Sequence, residues 1–224
     1  MCIRDSCESL LMKVILIDYG SGNLKSAAKA LERAGKETKK NFTVAVSKKI
    51  TDLKNASHIV LPGVGSFGDC KKGLDLIPGL TQEISKQVIE AGKPFLGICV
   101  GMHLLADKGL EYGEHKGLGL ISGLVRPIKL KGKKFKIPHM GWNNVQVGQA
   151  HTVFQGFQNN PYFYFVHSYN FVCSDEKHLI ATTDYSEKIT SVVSKDNIIG
   201  AQFHPEKSQK NGIKFISNFL NWEP

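Results

Sequence analysis

Short apolar runs alternate with amphipathic stretches through the first half of the chain. The runs at residues 14–17, 59–61 and 94–98 are uninterrupted, as in strands that are buried on both faces. Apolar positions recur at helical spacing over residues 24–34 and near residues 81–91, and a further helix is predicted from about Val100. This order predicts an α/β fold with a mainly parallel central sheet flanked by helices.

The second half of the chain has a different sequence pattern, in which short strand-like runs are separated by turn residues. These runs cover residues 125–130, 143–147, 162–166, 179–183, 190–194 and 198–203, and an amphipathic helix is predicted over residues 212–220. The close spacing of the strands predicts a smaller antiparallel portion. Because no internal repeat or linker interrupts the chain, we expect one domain.

The first eleven residues have no evident place in this fold. They lack apolar periodicity, whereas Met12 and Lys13 lead directly into the first buried strand and have the form of a natural start. We therefore expect residues 1–11 to be a non-native or disordered extension and residues 12–224 to form the domain.

The composition is that of a globular protein, with 42% hydrophobic and 22% charged residues among 224. Its five cysteines are scattered without CxxC pairs, so they predict neither a disulfide framework nor a metal site. No apolar run approaches the roughly 20 residues of a membrane span, and no signal peptide is evident. We expect a cytoplasmic protein without a membrane partner.

The net charge of +9 raises the question of a nucleic-acid partner. Lysines supply much of this charge along surface-type segments, and no aromatic-basic RNA motif accompanies them, so we expect no nucleic acid to bind. The densest cluster is predicted to be a solvated hairpin or, alternatively, a docking or anion-steering surface. It consists of Lys129, Lys131, Lys133, Lys134 and Lys136.

Two short motifs carry candidate chemistry. Cys99 stands between two glycines, where a buried strand is followed by a helix, which is the form of a nucleophile elbow with sulfur in place of hydroxyl. Such a turn lifts the side chain above the sheet, and the helix N-terminus favours a thiolate. His204 and Glu206 follow another apolar strand, and Pro205 restricts the backbone between this base and its orienting carboxylate. Either motif alone is weak, whereas together they point to nucleophilic catalysis.

The segments LGICVGMHLL and AQFHPEKS together resemble the class I, or triad, glutamine amidotransferases, which have a flavodoxin-like α/β fold. The resemblance covers nearly the whole chain from Met12. More narrowly, IDYGSGNL, LPGVGSFGD, KIPHMGWNNV and YFVHSY are similar to the glutaminase subunits of imidazole glycerol phosphate synthases, histidine-pathway enzymes that pair a glutaminase with a cyclase.

This resemblance implies a catalytic triad and a substrate. Cys99 would attack the side-chain amide of L-glutamine, His204 would take the thiol proton and return it to the departing ammonia, and Glu206 would orient the imidazole. The ammonia would pass to a cyclase (synthase) subunit in a heterodimer. No metal or organic cofactor is implied.

The resemblance also implies an oxyanion hole, a glutamine site and a partner face. The oxyanion donors would be the backbone N–H of Val100 and one from Gly63, Val64 or Gly65. The residues that would contact glutamine are His103, Glu111, Ser168 and Tyr169. The positions that would face the partner are Asn23, Trp142, Tyr164 and Lys207. His103 departs from the family, which usually has Gln there, and this puts glutamine affinity in doubt.

Two other histidines, His139 and His167, are predicted to have structural or interface roles, because neither stands in a motif with an orienting carboxylate. Three alternative functions stay open. The chain could feed a different synthase, such as one that amidates a surface sugar, or serve as a catalytically silent regulatory subunit. It could also be a stand-alone cysteine hydrolase, which would turn over without a partner.

Overall fold

The computed structural model describes residues 11–38, 40–132 and 134–224. The strands are β1 (Met12–Ile17), β2 (Phe42–Ser47), β3 (His58–Leu61), β4 (Phe95–Ile98), β5 (Lys108–Gly109), β6 (His115–Lys116), β7 (Gly123–Pro127), β8 (His139–Asn144), β9 (Gln146–Val147), β10 (Tyr162–His167), β11 (Tyr169–Cys173), β12 (Leu179–Tyr185), β13 (Glu187–Lys195) and β14 (Ile198–Ala201). The helices are α1 (Leu24–Lys36), α2 (Ile50–Lys54), α3 (Phe67–Asp75), α4 (Leu80–Ser85), α5 (Val100–His103) and α6 (Gln209–Asn221).

The central sheet has eight strands in the order β2-β1-β3-β4-β14-β13-β12-β9. Its first five strands are parallel to their neighbours, and the remaining three continue as an antiparallel meander. Strands β3 and β4 are completely buried, which explains their uninterrupted apolar sequence. The predicted α/β fold, mainly parallel with an antiparallel portion, is confirmed.

Two smaller sheets lie beside the central one. Strand β10 pairs with β8 in antiparallel register, and β11-β7-β5-β6 form a four-stranded sheet. Helix α1 packs against α6, while α2 and α3 each contact α4. Over the residues that the structure describes, no helix is both long enough and apolar enough to span a bilayer.

Parallel strands that all point the same way bring their carboxyl ends to one edge of the sheet. The chain leaves β1, β3, β4 and β14 at this edge, and each strand is followed there by one of the motifs that sequence analysis singled out. The order β1-β3-β4-β14 places the strands that precede Cys99 and His204 directly side by side. The sheet topology therefore joins two motifs that are about a hundred residues apart in the chain.

Several sequence predictions were incomplete or wrong. Strand β2 was missed because it lies at the sheet edge and is only half-buried, so its apolar pattern is weak. Helix α3 was also missed, although the hydroxyl of Ser66 accepts from the N–H of Asp69 as an N-cap. The lysine-rich segment is not a hairpin, since β7 pairs with β5 and β11 rather than with β8.

Of the predicted N-terminal extension, residues 1–10 lie outside the described part of the chain. Leu11 precedes β1 and is 64% exposed. Strand β1 begins at Met12, where the domain was expected to start. The assignment of residues 1–11 to an extension stays a prediction.

Candidate active site

Cys99 lies at the tightest turn of the predicted elbow, between β4 and α5. Its backbone has φ 55° and ψ −111°, a conformation that non-glycine residues rarely adopt. The N–H of Cys99 donates to the carbonyl of Ala201 on the neighbouring strand β14, at 2.8 Å. Backbone strain of this kind persists only when the surrounding structure holds it, and it occurs most often at functional sites.

Glycines allow the elbow to pack against the neighbouring strand ends. A Cβ atom on Gly101 would lie 1.9 Å from the carbonyl oxygen of Leu61, at the end of β3. A Cβ atom on Gly63 would lie 2.6 Å from the backbone nitrogen of Gly101. The nucleophile turn and the loop after β3 are therefore in backbone-to-backbone contact, and side chains would separate them.

We expect Gly101→Ala to reduce activity strongly and to destabilise the fold. Because the new methyl group would meet backbone rather than a flexible side chain, the cost should be about 3 kcal/mol, or about 6 to 12 °C in melting temperature. Gly148→Ala is the matched control, since its Cβ would meet only the carbonyl of Ile180 at 3.7 Å. Thermal melts of both variants, and their rates in the glutamine hydrolysis that the sequence predicts, test this; a fully active Gly101→Ala would contradict it.

The second motif holds a rigid histidine–carboxylate pair. Nδ1 of His204 lies 2.8 Å from Oε1 of Glu206, and both side chains are buried, with 3% and 5% exposed. The N–H of His204 donates to the carbonyl of Tyr164, and the Ser208 hydroxyl donates to the carbonyl of His204. The backbone around the imidazole is thus tied both to β10 and to the start of α6.

The electrostatic environment favours the imidazolium form of His204. Burial alone would lower its pKa, but the Cys99 thiol and the Glu206 carboxylate outweigh burial and raise the pKa to about 10. Nε2 of His204 is buried and has no hydrogen-bond partner. Since Nδ1 is held by the carboxylate, Nε2 is the nitrogen that remains for a proton exchange with sulfur or substrate.

Cys99 and His204 line one cavity of 280 Å³, close to the lower end of the range of about 300–1,000 Å³ for small-molecule sites. The cavity brings together most of the predicted residues. The residues that were predicted for the site and that line this cavity are Val64, Gly65, Cys99, Val100, His103, Glu111, Ser168, Tyr169, His204 and Lys207. Pro138, Val166 and His167 complete the wall. Gly63 instead lines a smaller adjoining pocket, together with Asn23 and Glu206.

The oxyanion donors are only partly in place. The N–H of Val100 stands at the first position of α5, where a helix offers it no internal acceptor. The N–H of Val64, in contrast, donates to the hydroxyl of Ser21 at 3.3 Å. The same hydroxyl donates to the carbonyl of Val64 at 2.6 Å, so one serine holds both peptide groups of this residue. Sequence reasoning did not find Ser21.

Polar groups at the other side of the cavity suit the charged end of an amino acid. Glu111 accepts the N–H of Phe67 through Oε2, and burial raises the pKa of this carboxyl. The remaining carboxylate oxygen is available to an ammonium group. Ser168 and Tyr169 line the same cavity. In the described part of the chain, no three His, Cys, Asp or Glu side chains gather in a way that could hold a metal ion.

His139 and His167 were predicted to have structural or interface roles, and both are buried, which fits the structural alternative. Nδ1 of His139 lies 2.8 Å from Nε2 of His167, whose Nδ1 donates to the carbonyl of Tyr169, and His167 itself lines the cavity. The signal was available in the sequence, because His167 shares the alternating buried face of β10 with Phe163 and Phe165.

Of the four residues predicted to face a partner, Asn23, Trp142 and Lys207 are exposed and Tyr164 is half-buried. Trp142 is 47% exposed and packs edge-on against Tyr164, and Nζ of Lys207 lies 5.7 Å from the centre of the Tyr164 ring. Asn23 is exposed and lies near Gly63 and His204. Aromatic side chains such as Trp and Tyr are enriched at protein interfaces. The role of these residues here stays a prediction.

Comparison with known proteins gives a consistent family. Residues 15–222 match the family described as glutamine amidotransferase class-I. The chain is 45% identical over 214 residues to the imidazole glycerol phosphate synthase subunit HisH of Rhodospirillum rubrum, covering 95% of this chain and 100% of that protein. It is 47% identical over 212 residues to the subunit of the same name from Zymomonas mobilis, covering 94% and 96%.

Solved structures agree on the fold. A crystal structure of a glutamine amidotransferase superposes with a TM-score of 0.69 at 19% identity, covering 92% of this chain and 97% of that one. A glutamine amidotransferase from Thermotoga maritima gives a TM-score of 0.64 at 18% identity, covering 94% and 83%. At such identities the likeness supports the architecture alone.

Proposed function

The chain belongs to the class-I glutamine amidotransferase family, and from this premise we propose that it is the glutaminase subunit of an imidazole glycerol phosphate synthase. It hydrolyses L-glutamine to glutamate and ammonia and passes the ammonia to a cyclase subunit. With that subunit it makes imidazole glycerol phosphate and the AICAR nucleotide in histidine biosynthesis, in the cytoplasm. Identity of 45% along the full length of a relative with this name is the observation that carries the proposal.

The chemistry follows from the geometry of the cavity. In its thiolate form, Cys99 attacks the side-chain amide carbon of glutamine within the cavity that it shares with the His204 imidazolium. The N–H of Val100 would stabilise the tetrahedral oxyanion. His204 then gives its proton to the departing nitrogen, so ammonia leaves and a glutamyl thioester remains. Water, deprotonated by His204, attacks the thioester carbon, which releases glutamate and restores the Cys99 thiolate and the His204 imidazolium.

Glu206 contributes to these reaction steps through the imidazole of His204. Its carboxylate fixes the tautomer of His204, because Nδ1 must carry the hydrogen that bridges the 2.8 Å contact. Glu111 would pair with the α-ammonium group of glutamine, and Ser168 and Tyr169 would hold the α-carboxylate through main-chain groups. These assignments rest on the cavity wall that the residues share.

The alternatives are weaker on specific grounds. A silent regulatory subunit has no need of a strained cysteine opposite a buried histidine–glutamate pair. A stand-alone hydrolase has no need of a surface on which the exposed side chains of Trp142 and Lys207 both contact Tyr164. A subunit that serves another synthase, such as a surface-sugar amidating enzyme, is disfavoured by the full-length relatives.

Reconstitution tests the proposal. The purified chain, mixed with the cyclase subunit and its nucleotide acceptor, is expected to form imidazole glycerol phosphate from glutamine. Cyclase alone with an ammonium salt is the positive control for the acceptor chemistry. Glutamine hydrolysis without product formation, in a mixture where the ammonium control works, would assign the chain to a different synthase.

A further inference from the structure

The side chain of Gln202 is buried beside the nucleophile, and the mechanism above does not use it. It follows β14, is completely buried, and its backbone N–H donates to the carbonyl of Ser191. Its Oε1 lies 2.7 Å from Nε2 of His103. Its Nε2 lies 3.9 Å from Sγ of Cys99, within the longer range of contacts to sulfur. An unbroken chain of contacts thus runs from His103 through one amide to the catalytic sulfur.

An amide has two ends of opposite polarity, and the end that faces sulfur matters. An NH₂ group stabilises a thiolate, whereas a carbonyl oxygen in the same place would repel it. Burial lowers the pKa of His103 to about 4, although its bond to Gln202 acts in the opposite direction. The ring is therefore neutral near pH 7 and carries one N–H. When that hydrogen is on Nε2, it holds the amide oxygen of Gln202 and leaves the NH₂ end for Cys99.

We propose that Gln202 is a positioning residue whose side-chain N–H stabilises the Cys99 thiolate, and that His103 sets the direction of its amide. The proposal rests on the proposed role of Cys99 as nucleophile and adds a second source of thiolate stabilisation to it. His103 then acts at the nucleophile, rather than only at bound glutamine.

The thiol is surrounded by other titratable groups on every packed element. His103, His167, His204, Glu111, Tyr169 and Lys207 line the same cavity as the thiol, Glu206 bonds His204, and Tyr19 and Cys70 interact electrostatically with Cys99. Because the imidazolium of His204 supplies the full positive charge, removal of the amide donor should shift the thiol titration without abolishing the thiolate. A change of about 1 pH unit, or tenfold in thiolate fraction below the midpoint, is the expected size.

Alkylation of the isolated chain by iodoacetamide, followed by mass spectrometry of the Cys99 peptide, measures this titration directly. Gln202→Leu is expected to raise the midpoint of the rate against pH by about 1 unit. Gln202→Glu preserves side-chain shape but places a carboxyl group beside sulfur, so its midpoint should rise at least as much. Gln87→Leu is the matched control, because it removes a buried amide that bonds Glu83 instead.

The role of His103 is tested by coupling. His103→Leu should raise the Cys99 midpoint in the original chain and produce no further rise in the Gln202→Leu background, since it acts through that amide. His103→Gln should give an intermediate shift, because a second amide can offer either end. A change confined to the Michaelis constant for glutamine, with the midpoint unmoved, would place His103 at the substrate instead.

An unchanged Cys99 midpoint in either Gln202 variant, with a native melting curve by circular dichroism, would overturn the proposal. The readout requires neither glutamine nor a partner. Failure of the original chain to support synthesis from glutamine, with the expected shifts in the Cys99 midpoint present in the Gln202 variants, would therefore count against the proposed function and leave this inference standing.

Discussion

Cys99→Ala is expected to abolish synthesis from glutamine while synthesis from added ammonium salts continues at its normal rate. The thiol is the only sulfur that lines the 280 Å³ cavity in the described part of the chain, and its strained backbone presents it there. Removal of a catalytic nucleophile typically costs about 10⁴-fold or more in turnover. Ammonia supplied directly bypasses that step, because the acceptor chemistry belongs to the partner.

The measurement is a pair of steady-state rates on the complex, one with glutamine and one with an ammonium salt. Cys173→Ser is the matched control, since Cys173 is half-buried at the end of β11 and does not line the cavity. It should retain both activities. Equal loss of both rates in Cys99→Ala would mean that Cys99 holds the subunit interface or the fold together rather than releasing ammonia.

Local sequence patterns were sufficient for the elements that pack around the catalytic edge. Continuous apolar runs predicted β1, β3 and β4, because strands buried on both faces leave little room for polar residues. The elbow at Cys99 was predictable from the two glycines that flank it. The structure gives one reason for the second glycine, because a Cβ atom on Gly101 would lie 1.9 Å from the carbonyl oxygen of Leu61.

Contacts between segments that are distant along the chain could not be predicted from the sequence. Gln202 stands in the same motif as His204, but its bonds to residues about a hundred positions away arise only when β14 pairs with β4. Ser21 lies in an ordinary turn sequence, and its hydrogen bonds to Val64 form because the ends of β1 and β3 are adjacent in the sheet. Secondary-structure propensity and hydrophobic periodicity depend on residues that are close along the chain, whereas these polar contacts depend on the order of the strands in the sheet.

Without its partner, the subunit is expected to hydrolyse glutamine about 100- to 1,000-fold more slowly than in the complex with acceptor bound. One oxyanion donor typically contributes that factor to turnover. In the isolated chain the N–H of Val64 is engaged by the hydroxyl of Ser21, which also holds the carbonyl of the same residue. Gly65 follows with φ +99°, a conformation that lets the adjoining peptide rotate at little cost.

Docking can release this peptide because the loop lies at the exposed face beside Asn23. Val64 is 42% exposed, so a partner can contact it directly. The acceptor shifts the loop only by the difference between its affinities for the resting and the active form of the complex.

Glutaminase turnover should therefore be measured with the subunit alone, with bare partner, and with partner plus acceptor. Ser21→Ala, which frees Val64, should raise the first rate several-fold and leave the third nearly unchanged. Full turnover in the first condition would mean that another N–H of the loop, such as that of Gly65, already completes the oxyanion hole.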